Sequence, residues 1–276
     1  MTRAVEQIER DIAAIQQATS AIAQEFLLTY SHYATLLGQA IRQQLVLAAY
    51  HICTQGYPEA FLKLSLNQRQ DLQQDLRRLA QQAQTQLADS IQTLTTQPPT
   101  VDQPHSEALE TAATPLTENS KPAPPNRSLP PTPTALIAWH DNLEEEIAEL
   151  LQTLSHQANR SLQQFEILPG KLPEPVLEVA AKAGDAAAVG QPNILNLIVE
   201  TDTSNDDAEA KVTHIMAIRL RLVEIEFADA ALTAWRTKIR NLASRITQLG
   251  RDFQKKQREK AIATAAAAWR ASWFED

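Results

Sequence analysis

The stretch LTAWRTKIRNLASRITQLGRDF, residues 232–253, decides the fold. Its apolar residues Leu232, Trp235, Ile239, Leu242, Ile246, Leu249 and Phe253 step alternately by three and four. That spacing puts them on one narrow stripe of an α-helix, the seam of a coiled coil or helical bundle. A helix with one apolar stripe buries it against another helix, so the rest of the chain is expected to supply partners of the same kind.

Upstream segments carry matching stripes. Val5, Ile8, Ile12, Ile15, Ile22, Phe26, Tyr30, Tyr33, Leu37, Ile41 and Leu45 predict one long helix from Ala4 to about Ile52, with Gln, Glu and Arg on its other faces. At about 1.5 Å per residue it runs roughly 70 Å. Gly56-Tyr57-Pro58 is expected to end it, with glycine as the C-cap. A second helical stretch starts at Pro58, where Ser65 and Gln68 read as a capping box. Its apolar face is Leu72, Leu76, Leu79, Ala83, Leu87, Ile91 and Leu94. The short link between the two predicts an antiparallel hairpin whose free stripe needs a partner from the C-terminal half or from another chain.

From Gln97 to Thr134 the pattern is lost, and the segment holds ten of the fifteen prolines. Proline at this density blocks helical and sheet hydrogen bonding and favours an extended, disordered linker. Helical spacing resumes with Leu136, Trp139, Leu143, Ile147, Leu150, Leu154, Ala158, Leu162 and Phe165. Glu144, Glu145, Glu146 and Glu149 lie in its first half, where the helix dipole tolerates anions. Pro169, Gly170, Pro173 and Pro175 are expected to stop it, and a short alanine-rich helix is expected around Val176 to Ala183. Two later runs, ILNLIVE over 194–200 and IRLRLVEIEF within 217–227, have the β-branched content of strands. The second loses alternation at Leu222-Val223, and a pair of strands with no third is marginal. The reading favours helix for both, with Leu222 and Ile225 on one face with Ile215 and Ile218, and a break at Ala228-Asp229.

Composition agrees with helices. The 276 residues are 43% hydrophobic, enough for a core, with only six Gly and 5% aromatics. A net charge of −8 argues against tight whole-surface binding of nucleic acid. The single cysteine, Cys53, excludes an internal disulfide framework, and MTRAVEQIERDIA carries no secretory apolar core. A reducing cytoplasm is the expected setting. No apolar run approaches the roughly 20 residues of a membrane-spanning helix.

Catalytic signatures are missing. His51-Ile52-Cys53 has no second pair of metal-ligand spacing, and the six histidines are scattered. Neither GxGxxG nor GxxxxGK[ST] occurs, and six glycines make a phosphate-cradling loop hard to build. The sequence therefore predicts no catalytic residue, no metal site and no cofactor.

The remaining candidate is the end of the chain. Nine Lys and Arg face two acids between Arg236 and Lys260, and an alanine run follows. At about 100° per residue, Arg251, Lys255, Arg258, Ile262, Trp269 and Trp273 share one side of the helix, with charge first and aromatics after. Such a stripe is a solvated face, a polyanion site, a membrane-surface anchor or a docking surface for another protein. Tryptophans one turn apart beside small alanines favour protein docking over packing on the chain's own hairpin.

The runs AIRLRLVEIEFAD (217–229), AWRTKIRNL (234–242), RDFQKKQREKAIA (251–263) and AAWRASWFED (267–276) resemble a family of uncharacterised helical, coiled-coil-rich proteins of cyanobacteria. The resemblance implies a lineage and carries no activity or binding residue.

The expectation is thus an all-α protein. It has an N-terminal helical hairpin over 1–96, a Pro-rich disordered linker over 97–134, and a helical module over 135–276 ending in a long coiled-coil-like helix. The expected function is a non-enzymatic scaffold or adaptor acting through self-association, as a homo-oligomer, and through binding other proteins. Peripheral membrane association through the basic, Trp-bearing helix is the first alternative, and polyanion or nucleic-acid binding the second. Limited proteolysis is expected to cut first between Gln97 and Thr134, because that segment cannot bury enough apolar surface to offset its chain entropy. First cuts inside the hairpin or the Leu232–Phe253 seam would show that these boundaries are misplaced.

Overall fold

The apolar stripes become long helices. The computed structural model describes residues 2–94, 132–169, 191–201 and 211–272. Helix α1 spans Thr2–His51 and runs into a π-helical turn, Ile52–Gly56. Helices α2 (Pro58–Lys63), α3 (Leu66–Leu94) and α4 (Pro133–Gln164) follow, then strands β1 (Ile194–Thr201) and β2 (Lys211–Ile218), and helices α5 (Leu222–Phe227) and α6 (Ala230–Ser272). The Pro-rich stretch other than 132–134, and the alanine-rich helix expected over 176–183, lie outside the described residues.

Helix boundaries follow from local chemistry. Ser65 and Gln68 form the expected capping box: the Ser65 N–H donates to Gln68 Oε1 at 2.9 Å, and the Gln68 N–H donates to Ser65 Oγ at 3.3 Å. Thr132 Oγ1 accepts from the Ala135 N–H and Pro133 takes the first helical position, so α4 starts two residues before the boundary read from composition. Its end comes before Pro169. Glu166 adopts φ 57°, and the Ile167 N–H reaches back to the Leu162 carbonyl at 3.0 Å, closing a Schellman-type cap. Asp229 marks the expected break, its carboxylate accepting from the Ala231 N–H at 2.8 Å at the start of α6.

Gly56 corrects one expectation. It is not a left-handed C-cap, since no glycine among the described residues has positive φ; the Tyr57 N–H instead closes the π-turn on the Ile52 carbonyl. A Cβ at Gly56 would lie 3.1 Å from Met216 Sδ, a tight contact that the methionine side chain would have to yield to admit.

The chain forms two compact units, neither a continuous stretch of sequence. One comprises Met1–Phe26, Gln92–Asp141 and Leu242–Asp276; the other comprises Leu27–Ile91 and Asn142–Asn241. In the first, α1 and α6 run antiparallel, as the ion pairs Glu25–Arg245, Asp11–Lys256 and Glu9–Lys260 show. Phe26 packs edge-on against Trp139 with ring centroids 6.1 Å apart. In the second unit, Tyr30, Tyr33, Leu37, Ile41 and Leu45 of α1 are fully buried, with Leu72 and Leu87 of α3, Leu143 and Ile147 of α4, and Leu232 and Ile239 of α6. Each such Leu or Ile stabilises the fold by about 1.5–3 kcal/mol relative to exposure. The hairpin stripe therefore finds its partner in the C-terminal half of its own chain. Gly38 lets α3 close on α1, since a Cβ there would sit 2.7 Å from Gln84 Cγ.

The helix reading of 194–200 is overturned. β1 and β2 form a two-stranded antiparallel hairpin with Ile194 opposite Ile218 and Leu197 opposite Ile215. The partner of ILNLIVE is KVTHIMAI, and only the start of the second candidate run belongs to it. Ile215 and Ile218 are thus strand residues, separated from Leu222 and Ile225 of α5 by an extended Arg221.

Side chains of α4 and of Tyr57 satisfy the outer edge of β2 at Met216 and Ile218, and the residue Leu220 just beyond it. Buried Asn159 donates Nδ2 to the Ile218 carbonyl and accepts from the Ile218 N–H, both at 2.8 Å. Ser155 Oγ accepts from the Leu220 N–H at 2.9 Å, and Tyr57 Oη accepts from the Met216 N–H at 3.0 Å. Asn193, buried and at φ 60°, ties down the same end of the hairpin from β1: its side chain bonds Gln44 and the Arg221 N–H, and its own N–H donates to Glu224. Asparagine is among the few residues that adopt this backbone readily. Replacing Asn159 by Leu keeps its bulk and strands both polar groups of Ile218. The variant is expected to lose about 2–4 kcal/mol in urea unfolding, and a loss under about 0.5 kcal/mol would show that the amide is not what holds this strand.

Candidate functional site

The C-terminal half of α6 holds the residues singled out in the sequence. Arg251, Lys255, Arg258, Ile262 and Trp269 are all exposed, Ile262 by 61% and Trp269 by 65%. By helical geometry they lie opposite the seam marked by buried Leu242 and Ile246. Trp273 lies outside the described residues.

The structure divides the basic run that sequence had treated as one. Lys256 and Lys260 turn toward α1 and pair with Asp11 at 3.0 Å and Glu9 at 2.9 Å. The hydrogen bond from Lys256, helped by one from Gln7, holds the Asp11 carboxyl below its ordinary range, and the same contact with Asp11 raises Lys256. Arg245 reaches Glu25 at 3.2 Å, and Lys238 lies over the Trp235 ring, itself stacked on His32. Arg251, Lys255 and Arg258 make no ion pair among the described residues. Beside Arg251, an open groove of about 600 Å³ runs between α4 and α6, lined by His140, Asp141, Arg245 and Gln248.

Arg236, the first residue of that run, points inward and was not legible as such. Its guanidinium is only 11% exposed and forms a bidentate pair with Glu144, at 2.6 and 2.7 Å. Its Nε lies 2.8 Å from Glu226 Oε1, an ion-pair distance without the alignment of a hydrogen bond. Tyr30 Oη donates to Glu144 and Tyr33 Oη to Glu226, both at 2.5 Å. The signal available in the sequence was the pair of phenols at seam positions, since a buried tyrosine hydroxyl requires a partner.

The chain matches no family model, no curated protein and no solved structure. Its surfaces therefore have to be read from their own chemistry.

Among the described residues no cluster of three or more His, Cys, Asp or Glu is placed to hold a metal, and no helix is long and apolar enough to cross a membrane. The Arg236 cluster lies largely in the interior, where Arg236 Nη1 and Nη2, Glu144, Glu226 and the two phenols bond to one another. Burial raises the phenols of Tyr30 and Tyr33; the Glu144 carboxylate reinforces this at Tyr30, while at Tyr33 the pull of Arg236 opposes it and the bond to Glu226 supports it. Burial alone would lower Arg236, but its bonds to Glu144 and the nearby Tyr33 and Glu226 raise it above its ordinary value.

The sign of the pH dependence follows. Below pH about 10, the ordinary tyrosine value, folded and unfolded chains both keep these protons. Above it the unfolded chain releases them first, so stability falls as pH rises, by up to about 1.4 kcal/mol per unit for each phenol. Denaturant titrations between pH 9 and 11.5 should show this decline, and Tyr30→Phe with Tyr33→Phe should flatten it. An unchanged slope in the double variant would assign the decline to other groups.

Proposed function

We propose that the protein is a non-enzymatic scaffold or adaptor of the cytoplasm, working through self-association of its long helices and through binding other proteins, with the outward face of α6 as its contact surface. The observation that carries this reading is the exposure of Ile262 and Trp269 in line with Arg251, Lys255 and Arg258, on the face turned away from the seam. Apolar and aromatic side chains held on a helix at constant spacing are the usual anchors of helix-mediated binding, and arginine is enriched beside them. The lineage suggested by the likeness to cyanobacterial helical proteins is part of the same proposal.

One observation favours a second reading. Three cations without an ion pair among the described residues share the face with a tryptophan, which also suits attachment to an anionic surface, whether lipid or nucleic acid. That attachment weakens steeply with salt, whereas docking centred on Trp269 and Trp273 does not.

Replacing Trp269 and Trp273 together by Ala is expected to leave the melting temperature nearly unchanged, because α6 beyond Phe253 contributes no buried large side chain among the described residues. The same variant should lose self-association in sedimentation velocity or most co-purifying protein in a pull-down, since a docked tryptophan is worth about 2 kcal/mol or more. A drop of several degrees with both associations intact would place these side chains in the protein's own core.

A further inference from the structure

Away from α6, the end of the N-terminal hairpin holds a pocket that the adaptor reading does not use. It lies between the last turns of α1, helix α2 and the start of α3, with a volume of about 400 Å³. Its floor is buried and apolar: Ala49, Cys53, Leu72 and Leu76 are each 6% exposed or less. Val46, Tyr50 and Phe61 form the walls, and Val46 and Tyr50 remain about half exposed, at 47% and 58%.

The polar groups of the lining are few. Thr54, Gln73 and Arg77 are exposed at the rim. The Thr54 hydroxyl already donates to the Tyr50 carbonyl at 2.7 Å. No acidic residue lines the pocket, and Arg77 is its one charged group. The neighbouring Arg78 is paired with Asp75 at 2.9 Å, whereas Arg77 makes no ion pair among the described residues. A mostly apolar cavity within the roughly 300–1,000 Å³ range of small-molecule sites, with few polar groups, has the make-up of a ligand pocket. Here the single cation at the mouth selects the charge of the ligand and the dry floor selects its body.

We propose that this pocket binds a free long-chain carboxylate, with its hydrocarbon tail against Ala49, Cys53, Leu72 and Leu76 and its carboxylate on Arg77. A guanidinium holds a carboxylate through two parallel hydrogen bonds, which a neutral head group cannot reproduce. The hydrophobic tail supplies the affinity, and the head sets its orientation.

Cys53 is the only cysteine of the chain and forms part of the floor, so it reports on occupancy. The test uses the full chain with dodecanoate kept below its micellar concentration, followed by calorimetry and by the rate of Cys53 alkylation with N-ethylmaleimide. Saturable binding is expected, and at ten times the dissociation constant alkylation should slow about tenfold. Arg77→Gln should weaken dodecanoate about tenfold and leave the uncharged dodecanol unchanged. Val46→Trp, at a half-exposed wall, should block both ligands while far-UV circular dichroism stays that of the parent. No protection by dodecanoate, protection by phosphatidylglycerol vesicles alone, equal dodecanoate affinity in Arg77→Gln, or undiminished binding by folded Val46→Trp would each overturn the proposal.

Discussion

Arg236 sits where the seam of α6 would otherwise accept an apolar side chain, and a guanidinium in that position has to be neutralised. Glu144 from α4 and Glu226 from α5 do so, and each carboxylate also receives a phenol from α1. Four helices of one compact unit are thereby joined through a single charged group. Burying such a cluster gains little net energy, because desolvation offsets the attraction, but removing one member leaves an uncompensated charge at about 3–5 kcal/mol. A one-turn slip of α6 would carry Arg236 about 5.4 Å along the helix axis, away from both carboxylates. The ionic contact therefore restricts which register the helices adopt, while the apolar seam supplies the energy that holds them.

A similar division of labour supports the β-hairpin. Two strands alone are marginal in water, and the edge of β2 carries backbone groups that need partners wherever they are buried. Asn159, Ser155 and Tyr57 provide those partners at Ile218, Leu220 and Met216 from helical and turn positions. Gly56 contributes by having no side chain where Met216 approaches. The free thiol of Cys53, within this turn, is pushed up to about 11 by burial, which keeps it mostly protonated near neutrality and its alkylation slow.

On α6 the same residue type takes three roles according to helical phase. Arg236 is interior, Lys256 and Lys260 bind the acids of α1, and Arg251, Lys255 and Arg258 face outward. After Phe253 the inward face changes from apolar to ionic, so the two helices stay in contact through charge where the seam has ended. That change leaves Ile262 and Trp269 on the outward face rather than in the interior.

The amino-acid sequence by itself determined what depends on neighbours a few residues apart. Heptad spacing placed the buried faces of α1, α3, α4 and α6, the Ser65–Gln68 pair announced the start of α3, and Asp229 marked the break before α6. It also picked out the outward stripe, since residues three, four and seven apart share a helix face whatever the tertiary context. Tertiary structure alone decided the rest. Tyr30 finds Glu144 across 114 residues and Tyr33 finds Glu226 across 193, separations over which periodicity carries no information. The strands were misread for the same reason: the groups that stabilise the edge of β2 come from Asn159, 59 residues from Ile218. The hairpin-end pocket arises only when α1, α2 and α3 converge. A hydrophobic pattern states which side of an element avoids water, whereas a buried polar group is satisfied by a partner whose position in the chain is set by packing.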